Sequence, residues 1–524
     1  MTESSLLLHL IRLYPMRSLQ RSTRRKRMND RLERALKEAE RQLKIWNVPS
    51  AVIAVVKGDD VLFTGAIGSR NNADLPADGK TMVQIASCTK AFTATALAVL
   101  ATEGKFDFDT PLTEYIPDFR LNDSYATDHL TIRDFLSHRS GLPRHEYAWY
   151  DTGFTRKELI HNLRYLPLNA PIRYRFQYSN FNYMIAGAAI EAISGKPFER
   201  FLKERVLDPL GMNDSTVYDF DFMQKENKGV PFDYKVIYTM GEIKEIPYFC
   251  PSDLGVDAGL GDPAAPAGCI GSNAEDMAKW LKYNLNHGKK EDGTELIKGE
   301  LYDLMTSSHT FLSETGGSDT PEFSIMTYGL GWQIFRYRGK KILEHGGNLP
   351  GFSSTVMISP EDNVGVFVSS TLNVTLFSDA VRMSLLDALT DAPEIDWYSR
   401  MMKNNESMFD KVQAFYAPKG EPVQDTEPSH ELKDYVGTYR VRGYREVVIT
   451  EEGRKLFMTF NNHTLPLSHF HYDVFTTDVE LDEIPPGLQV RFENDNAGNI
   501  TKVVILLGSE KDLEPITFTK EVKE

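Results

Sequence analysis

The chain is poor in cysteine, lacks long apolar runs and carries no excess of positive charge, and each deficit excludes something. Cys88, Cys250 and Cys269 are far apart and odd in number. They suggest neither a disulfide framework nor a Cys-based zinc site, and a reducing compartment is acceptable. No stretch approaches the roughly 18 consecutive apolar residues of a spanning helix. The net charge of -15 disfavours nucleic acid as the main partner. With 41% hydrophobic and 25% charged residues, the composition is that of a soluble globular protein, and 524 residues leave room for two or three domains.

Residues 1–27 differ from the rest. Arg12, Arg17, Arg21, Arg24, Arg25, Lys26 and Arg27 face one acid, Glu3. The apolar piece Leu6-Leu7-Leu8-His9-Leu10 precedes most of the bases, the reverse of a secretory signal. The segment reads as a disordered basic tail, or as sequence upstream of a start at Met28, with a targeting segment as the third reading. The cytoplasm is the default compartment.

Leu32, Ala35, Leu36, Ala39, Leu43 and Trp46 recur at helical spacing, so 29–46 reads as an amphipathic helix ended by Pro49. Strands follow at 51–56 and 60–65. A short helix is expected at 131–136, closed through Gly141, and an apolar helix at 184–193. Residues 216–262 and 306–326 read as loops that overhang a site, together with 144–156. Ser272-Asn273-Ala274-Glu275 reads as a capping box ahead of a helix over 277–285. Strands are expected at 328–335, 353–358 and 364–369, and a helix at 378–389.

Residues 417–430 hold three prolines and no apolar periodicity, and read as a linker. Beyond it the period becomes two: Val447 and Ile449, then Leu456, Met458 and Phe460, then Leu488, Val490 and Phe492. This predicts a small antiparallel barrel or sandwich over 431–524. The reading is therefore a tail (1–27), a catalytic domain (28–416), a linker (417–430) and a β domain (431–524).

The chemistry centres on Ser87-Cys88-Thr89-Lys90. Ser87 is the only serine with a lysine three residues later. At the start of a helix the two side chains share a face, near the positive end of the dipole. A serine needs a base, and a lysine becomes one when its pKa is lowered. Cys88 is an alternative nucleophile, but residue i+1 points about 100° away on a helix. His138 and His145 read as loop residues. His469 and His471 share a face of a strand but lack a third metal ligand.

Tyr178-Ser179-Asn180 lies 91 residues after Ser87, and His345-Gly346-Gly347 lies 167 residues after Tyr178. In this order the motifs resemble the serine β-lactamase and penicillin-binding-protein superfamily, closest to its class C β-lactamase-like branch, which also holds esterases and D-amino-acid peptidases. Ser137 to Leu142, the Pro-Ala-Gly to Ala-Glu-Asp-Met run at 266–277 and Tyr328-Gly329-Leu330-Gly331-Trp332 add to the likeness. Tyr435-Val436-Gly437-Thr438-Tyr439 resembles the start of the lipocalin-like barrel often appended to this family.

The resemblance implies an α/β (α+β) catalytic domain: an antiparallel sheet flanked by helices, plus a helical lobe, with a C-terminal barrel. It implies a serine hydrolase that passes an amide or ester acyl group through Ser87 to water, with no metal and no organic cofactor. Lys90 would take or relay the proton. Tyr178, with a phenol near ~10 when unperturbed, would share it once cationic neighbours lower its pKa. Asn180 would bond Lys90 and substrate. Gly346 and Gly347 would let substrate approach the backbone, and the Asn348 and Ser87 amides would form the oxyanion hole. His345 stands where the family often has lysine, which favours an esterase or D-amino-acid peptidase. The alternatives are a β-lactamase or penicillin-interactive peptidase, and an idle scaffold or binding protein of the same fold. A homo-oligomer is left open.

Overall fold

The computed structural model describes residues 4–70, 75–239, 242–248, 261–314, 320–416, 421–477, 487–505 and 515–522. Side chains are described outside 4–24, 233–248, 261–262 and 408–416. The expected first helix is the C-terminal part of a longer one, α1 (Ser4–Ile45). Apart from residues 1–3, outside the described set, the backbone of the basic segment is part of this helix. Its leucines and arginines are good helix formers.

Eight antiparallel strands form the central sheet: β1 (Ser50–Lys57), β2 (Asp60–Gly68), β3 (Thr310–Ser313), β4 (Phe323–Tyr328), β5 (Gln333–Tyr337), β6 (Lys340–Leu349), β7 (Phe352–Ser359) and β8 (Val364–Ser370). Their spatial order is β2-β1-β8-β7-β6-β5-β4-β3. Successive side chains of a strand point to opposite faces, and β1 uses both. Val52, Ala54 and Val56 join the core that holds the helical lobe. Ala51, Ile53 and Val55 join a second core with Leu32, Leu43 and Trp46 beneath α1. The sheet is thus covered on both sides, which explains why β1 reads as a continuous apolar run.

On the lobe side lie α2 (Thr89–Thr102), α3 (Asn180–Ser194) and α4 (Ala274–Leu285). Gly195 closes α3 with a φ of 70°. Phe92 of α2 stacks on Trp280 of α4 at 3.6 Å between ring centroids. The other face carries α5 (Phe377–Thr390), and α6 (Trp397–Tyr416) follows it. The sequence reading missed α6.

Four more expectations are corrected. The cap of α4 is Asn273, whose side-chain oxygen accepts from the Asp276 amide at 2.9 Å; Ser272 instead meets Ser215. The strand expected at 328–335 is two strands, because Gly331, at φ 83°, turns the chain between Tyr328 and Gln333. The loop expected at 306–326 supplies β3 and the start of β4, although 315–319 lie outside the described residues. Within 216–262 lie a short helix, Asp219–Met223, and a strand pair, Asp233–Thr239 with Glu242–Tyr248. The linker expected at 417–430 falls outside the described residues at 417–420.

The C-terminal part is a closed antiparallel barrel: β9 (Gly437–Arg440), β10 (Val447–Glu452), β11 (Lys455–Phe460), β12 (His463–His471), β13 (Val474–Thr477), β14 (Gln489–Asn494), β15 (Ile500–Ile505) and β16 (Ile516–Lys520). Val447, Ile449, Leu456, Met458, Phe460, Val490 and Phe492 fill it, as the period of two requires. Closure removes the free edges an open sheet would expose.

Candidate active site

Ser87 lies in a 3-10 turn, Ala86–Cys88, that runs into α2. Ala86 holds a φ of 49°, a left-handed conformation that is uncommon for a residue with a Cβ. The turn leaves Ser87 partly accessible between the buried Ala86 and Cys88.

Lys90 is fully buried one turn on. Its Nζ is 3.0 Å from Ser87 Oγ, 2.9 Å from Asn180 Oδ1 and 2.8 Å from the Ala267 carbonyl oxygen. Burial, and then the Arg144 charge, hold this amine well below the ordinary lysine value. The Tyr178 hydroxyl donates to Ser87 Oγ at 2.9 Å. Here the expectation needs correcting: burial outweighs the cationic neighbours and drives the phenol above its usual value, so Tyr178 is a protonated donor. Asn180 begins α3 and meets Lys90 as expected.

The β6 strand passes behind the serine turn. A Cβ on Gly347 would stand 2.5 Å from the Ile85 carbonyl oxygen and 2.8 Å from the Ser87 nitrogen, so only glycine permits this approach. Gly346 is half-buried on the same strand, and Asn348 is exposed at the cavity rim. His345 does not face that cavity. Its Nδ1 meets the Gly346 carbonyl oxygen at 2.6 Å and its Nε2 accepts from the Tyr328 hydroxyl at 2.7 Å. That pairing fits a neutral ring, and burial lowers its pKa to about 3. The Cys88 thiol donates to the His345 carbonyl oxygen at 3.1 Å, and burial pushes it far above a reactive range.

Sequence reasoning missed His138. It is fully buried with a φ of 55°, and its ring lies 4.4 Å from that of Tyr178. Its Nδ1 accepts from the Ser179 amide at 3.2 Å and meets Asn182 Nδ2 at 3.1 Å. It therefore braces the segment carrying Tyr178. The only sequence signal was a histidine inside the Ser137 to Leu142 motif. His145, also read as a loop residue, is buried between the Pro167 carbonyl and the Tyr444 hydroxyl.

The cavity over Ser87 is walled by Trp149 and Tyr150 from the expected 144–156 loop, and by Asp219 from the 216–262 segment. The 306–326 segment contributes no wall among the described residues. The barrel grips the first of these loops from outside. At the tip between β11 and β12, Asn461 Nδ2 donates to the Tyr147 and Tyr150 carbonyls at 2.8 and 3.0 Å. Asn462 Nδ2 donates to the Asp151 carbonyl at 2.9 Å, and Arg445 Nε donates to that of Thr152.

Residues 31–389 match the Beta-lactamase family model. The chain belongs to that family. Residues 421–520 match a domain of unknown function, DUF3471. Among curated relatives, an unguisins hydrolase of Aspergillus campestris is 28% identical over 80% of this chain and 78% of its own length. Protein flp of Staphylococcus aureus is 24% identical over 64% of this chain and 62% of its own length. An octameric penicillin-binding protein homologue from Pyrococcus abyssi superposes with a TM-score of 0.56 at 21% identity, over 93% of this chain and 99% of that one. A D-amino acid amidase from Ochrobactrum anthropi gives 0.52 at 22% identity, over 69% and 99%. These superpositions bear on the fold, a β-lactamase/transpeptidase-like sheet with flanking helices. The family and its hydrolase-named relatives make this chain a β-lactamase-fold hydrolase.

Proposed function

We propose that the protein is a serine hydrolase that cleaves an amide or ester through a Ser87 acyl-enzyme. The observation that carries this reading is the environment of Lys90. A neutral amine has two N–H donors and one lone pair. Asn180 Oδ1 and the Ala267 carbonyl take the donors, which turns the lone pair toward Ser87 Oγ. The Tyr178 hydroxyl occupies a lone pair of that same oxygen, so the serine proton is directed to Lys90. Lys90 takes it as Oγ attacks the substrate carbonyl carbon, and the oxyanion accepts the Ser87 and Asn348 amides. The leaving group departs with a proton delivered through the Tyr178 hydroxyl and replaced from Lys90. Water then repeats the sequence on the acyl-serine, with Lys90 as base.

The neutral, occluded His345 favours the esterase or peptidase side of the family over a β-lactamase, since it offers no cation to a β-lactam carboxylate. The unguisins hydrolases and the D-amino acid amidase support the same side. The octameric relative supports a homo-oligomer.

Hydrolysis of neutral p-nitrophenyl esters, amino-acid p-nitroanilides and benzylpenicillin, with acyl adducts trapped by acid quench, tests the proposal. Turnover of the first two with an adduct on Ser87, absent in Ser87→Ala, is expected. Faster turnover of penicillin than of either would overturn the substrate class. Turnover that survives Ser87→Ala would overturn the mechanism.

A further inference from the structure

Gln84 and Asp219 face each other in the wall of the Ser87 cavity. Gln84 is 2% exposed and is held by the two-residue pairing of Val83–Gln84 with Gly271–Ser272. The Ser354 hydroxyl fixes its backbone by donating to the Gln84 carbonyl at 3.1 Å. The Gln84 side-chain Nε2 donates to Asp219 Oδ1 at 3.2 Å. A carboxylate only accepts, so this contact fixes the orientation of the amide, with Oε1 as its free end. That oxygen is buried and has no hydrogen-bond partner among the described residues. Asp219 is half-buried, and among the described residues no cation pairs with it.

Both features are costly. A buried acceptor left unsatisfied loses its hydration without a replacement bond, and a desolvated carboxylate without a counter-ion costs more. Burial raises the Asp219 pKa to about 6, so the group is ionised at neutral pH. Among the residues lining the cavity, Asp219 is the one charged side chain, and Trp149 and Tyr150 supply aromatic surface. A carboxylate held by the Gln84 amide, with no cation beside it among the described residues, in an otherwise largely apolar cavity is complementary to a cationic N–H donor.

We infer that Gln84 and Asp219 form a subsite for a protonated primary amine on the substrate. Resting on the hydrolase reading above, this narrows the substrate to amides or esters of amine-bearing acids. It also deepens the contrast with β-lactams, whose carboxylate Asp219 would repel.

The test is calorimetric titration of full-length Ser87→Ala with D-phenylalaninamide and with N-acetyl-D-phenylalaninamide. The free amine should bind at least tenfold more tightly than the acetylated form. Adding Asp219→Asn, nearly isosteric, should bring the ratio close to one, and Asp219→Glu should keep part of it. Thermal unfolding of each variant confirms that it is folded. No binding of either ligand, a ratio of one, or a ratio that survives Asp219→Asn would overturn the subsite. Phosphonate labelling of Ser87 in the parent chain reads the hydrolase proposal separately. A labelled serine with a ratio of one sinks the subsite alone. A large ratio that depends on Asp219, without a label, keeps the subsite and removes the hydrolase reading.

Discussion

In the proposed mechanism Lys90 accepts the serine proton as a neutral amine, the form that burial favours. Replacing it by methionine keeps the length and burial but removes the base. Acylation should slow by roughly 10²–10⁴, the range for a lost general base, measured as the rate of phosphonate labelling. The pH profile has a definite sign. Protonated Lys90 cannot accept, so the rate rises as pH passes upward through its depressed pKa. Labelling should reach its plateau at a lower pH than an ordinary, solvated lysine would allow, because burial holds that pKa well below the lysine value. A rate still climbing through pH 10 would mean an ordinary, solvated lysine. Tyr178→Phe should also slow turnover while leaving the fold intact, as the phenol donates one bond to Ser87.

At the scale of elements, two close fits hold the site together. Gly347 lets β6 lie against the serine turn. Gly347→Ala should push strand and turn apart and suppress labelling, with a crystal structure showing β6 displaced. The second fit is the hairpin tip of the barrel. Asn461 and Asn462, at φ 47° and 66°, suit the left-handed turn and also hold the loop carrying Trp149 and Tyr150. Asn461→Ala with Asn462→Ala should raise KM for large substrates several-fold and affect small-ester kcat much less. Equal loss on both would assign the barrel a purely structural role. The sequence made the elements legible where burial is one-sided, as in α1 and the barrel strands. It misled where a residue served two patterns. Tyr328 to Phe335 looks like one apolar strand, yet Gly331 turns it, and Ser272-x-x-Glu275 imitates a cap one residue too early. Ser87 and Lys90 were readable because local spacing puts them on one helix face, whereas Tyr178 and Asn180 were legible only through the resemblance to the β-lactamase superfamily. His138, Gln84 and Asp219 were not, since their roles arise from contacts between distant segments.

For the whole molecule, the buried histidines set the response to acid. Burial lowers His145 to about 4 and His345 to about 3. Their folded pKa values lie below the unfolded value of about 6.5, so the unfolded chain binds more protons below that pH. Stability is therefore complete above pH 6.5 and lost as pH falls toward 4. At pH 5 each contributes a loss of about 2 kcal/mol, which thermal unfolding at pH 7 and pH 5 would register as a clear fall in Tm. The central claim, that Ser87 is an activated nucleophile in this setting, is tested most directly by intact-protein mass after exposure to a fluorophosphonate. Wild type and Cys88→Ala should each gain one adduct, and Ser87→Ala none. An adduct that persists in Ser87→Ala, or no adduct on folded wild type, would contradict it.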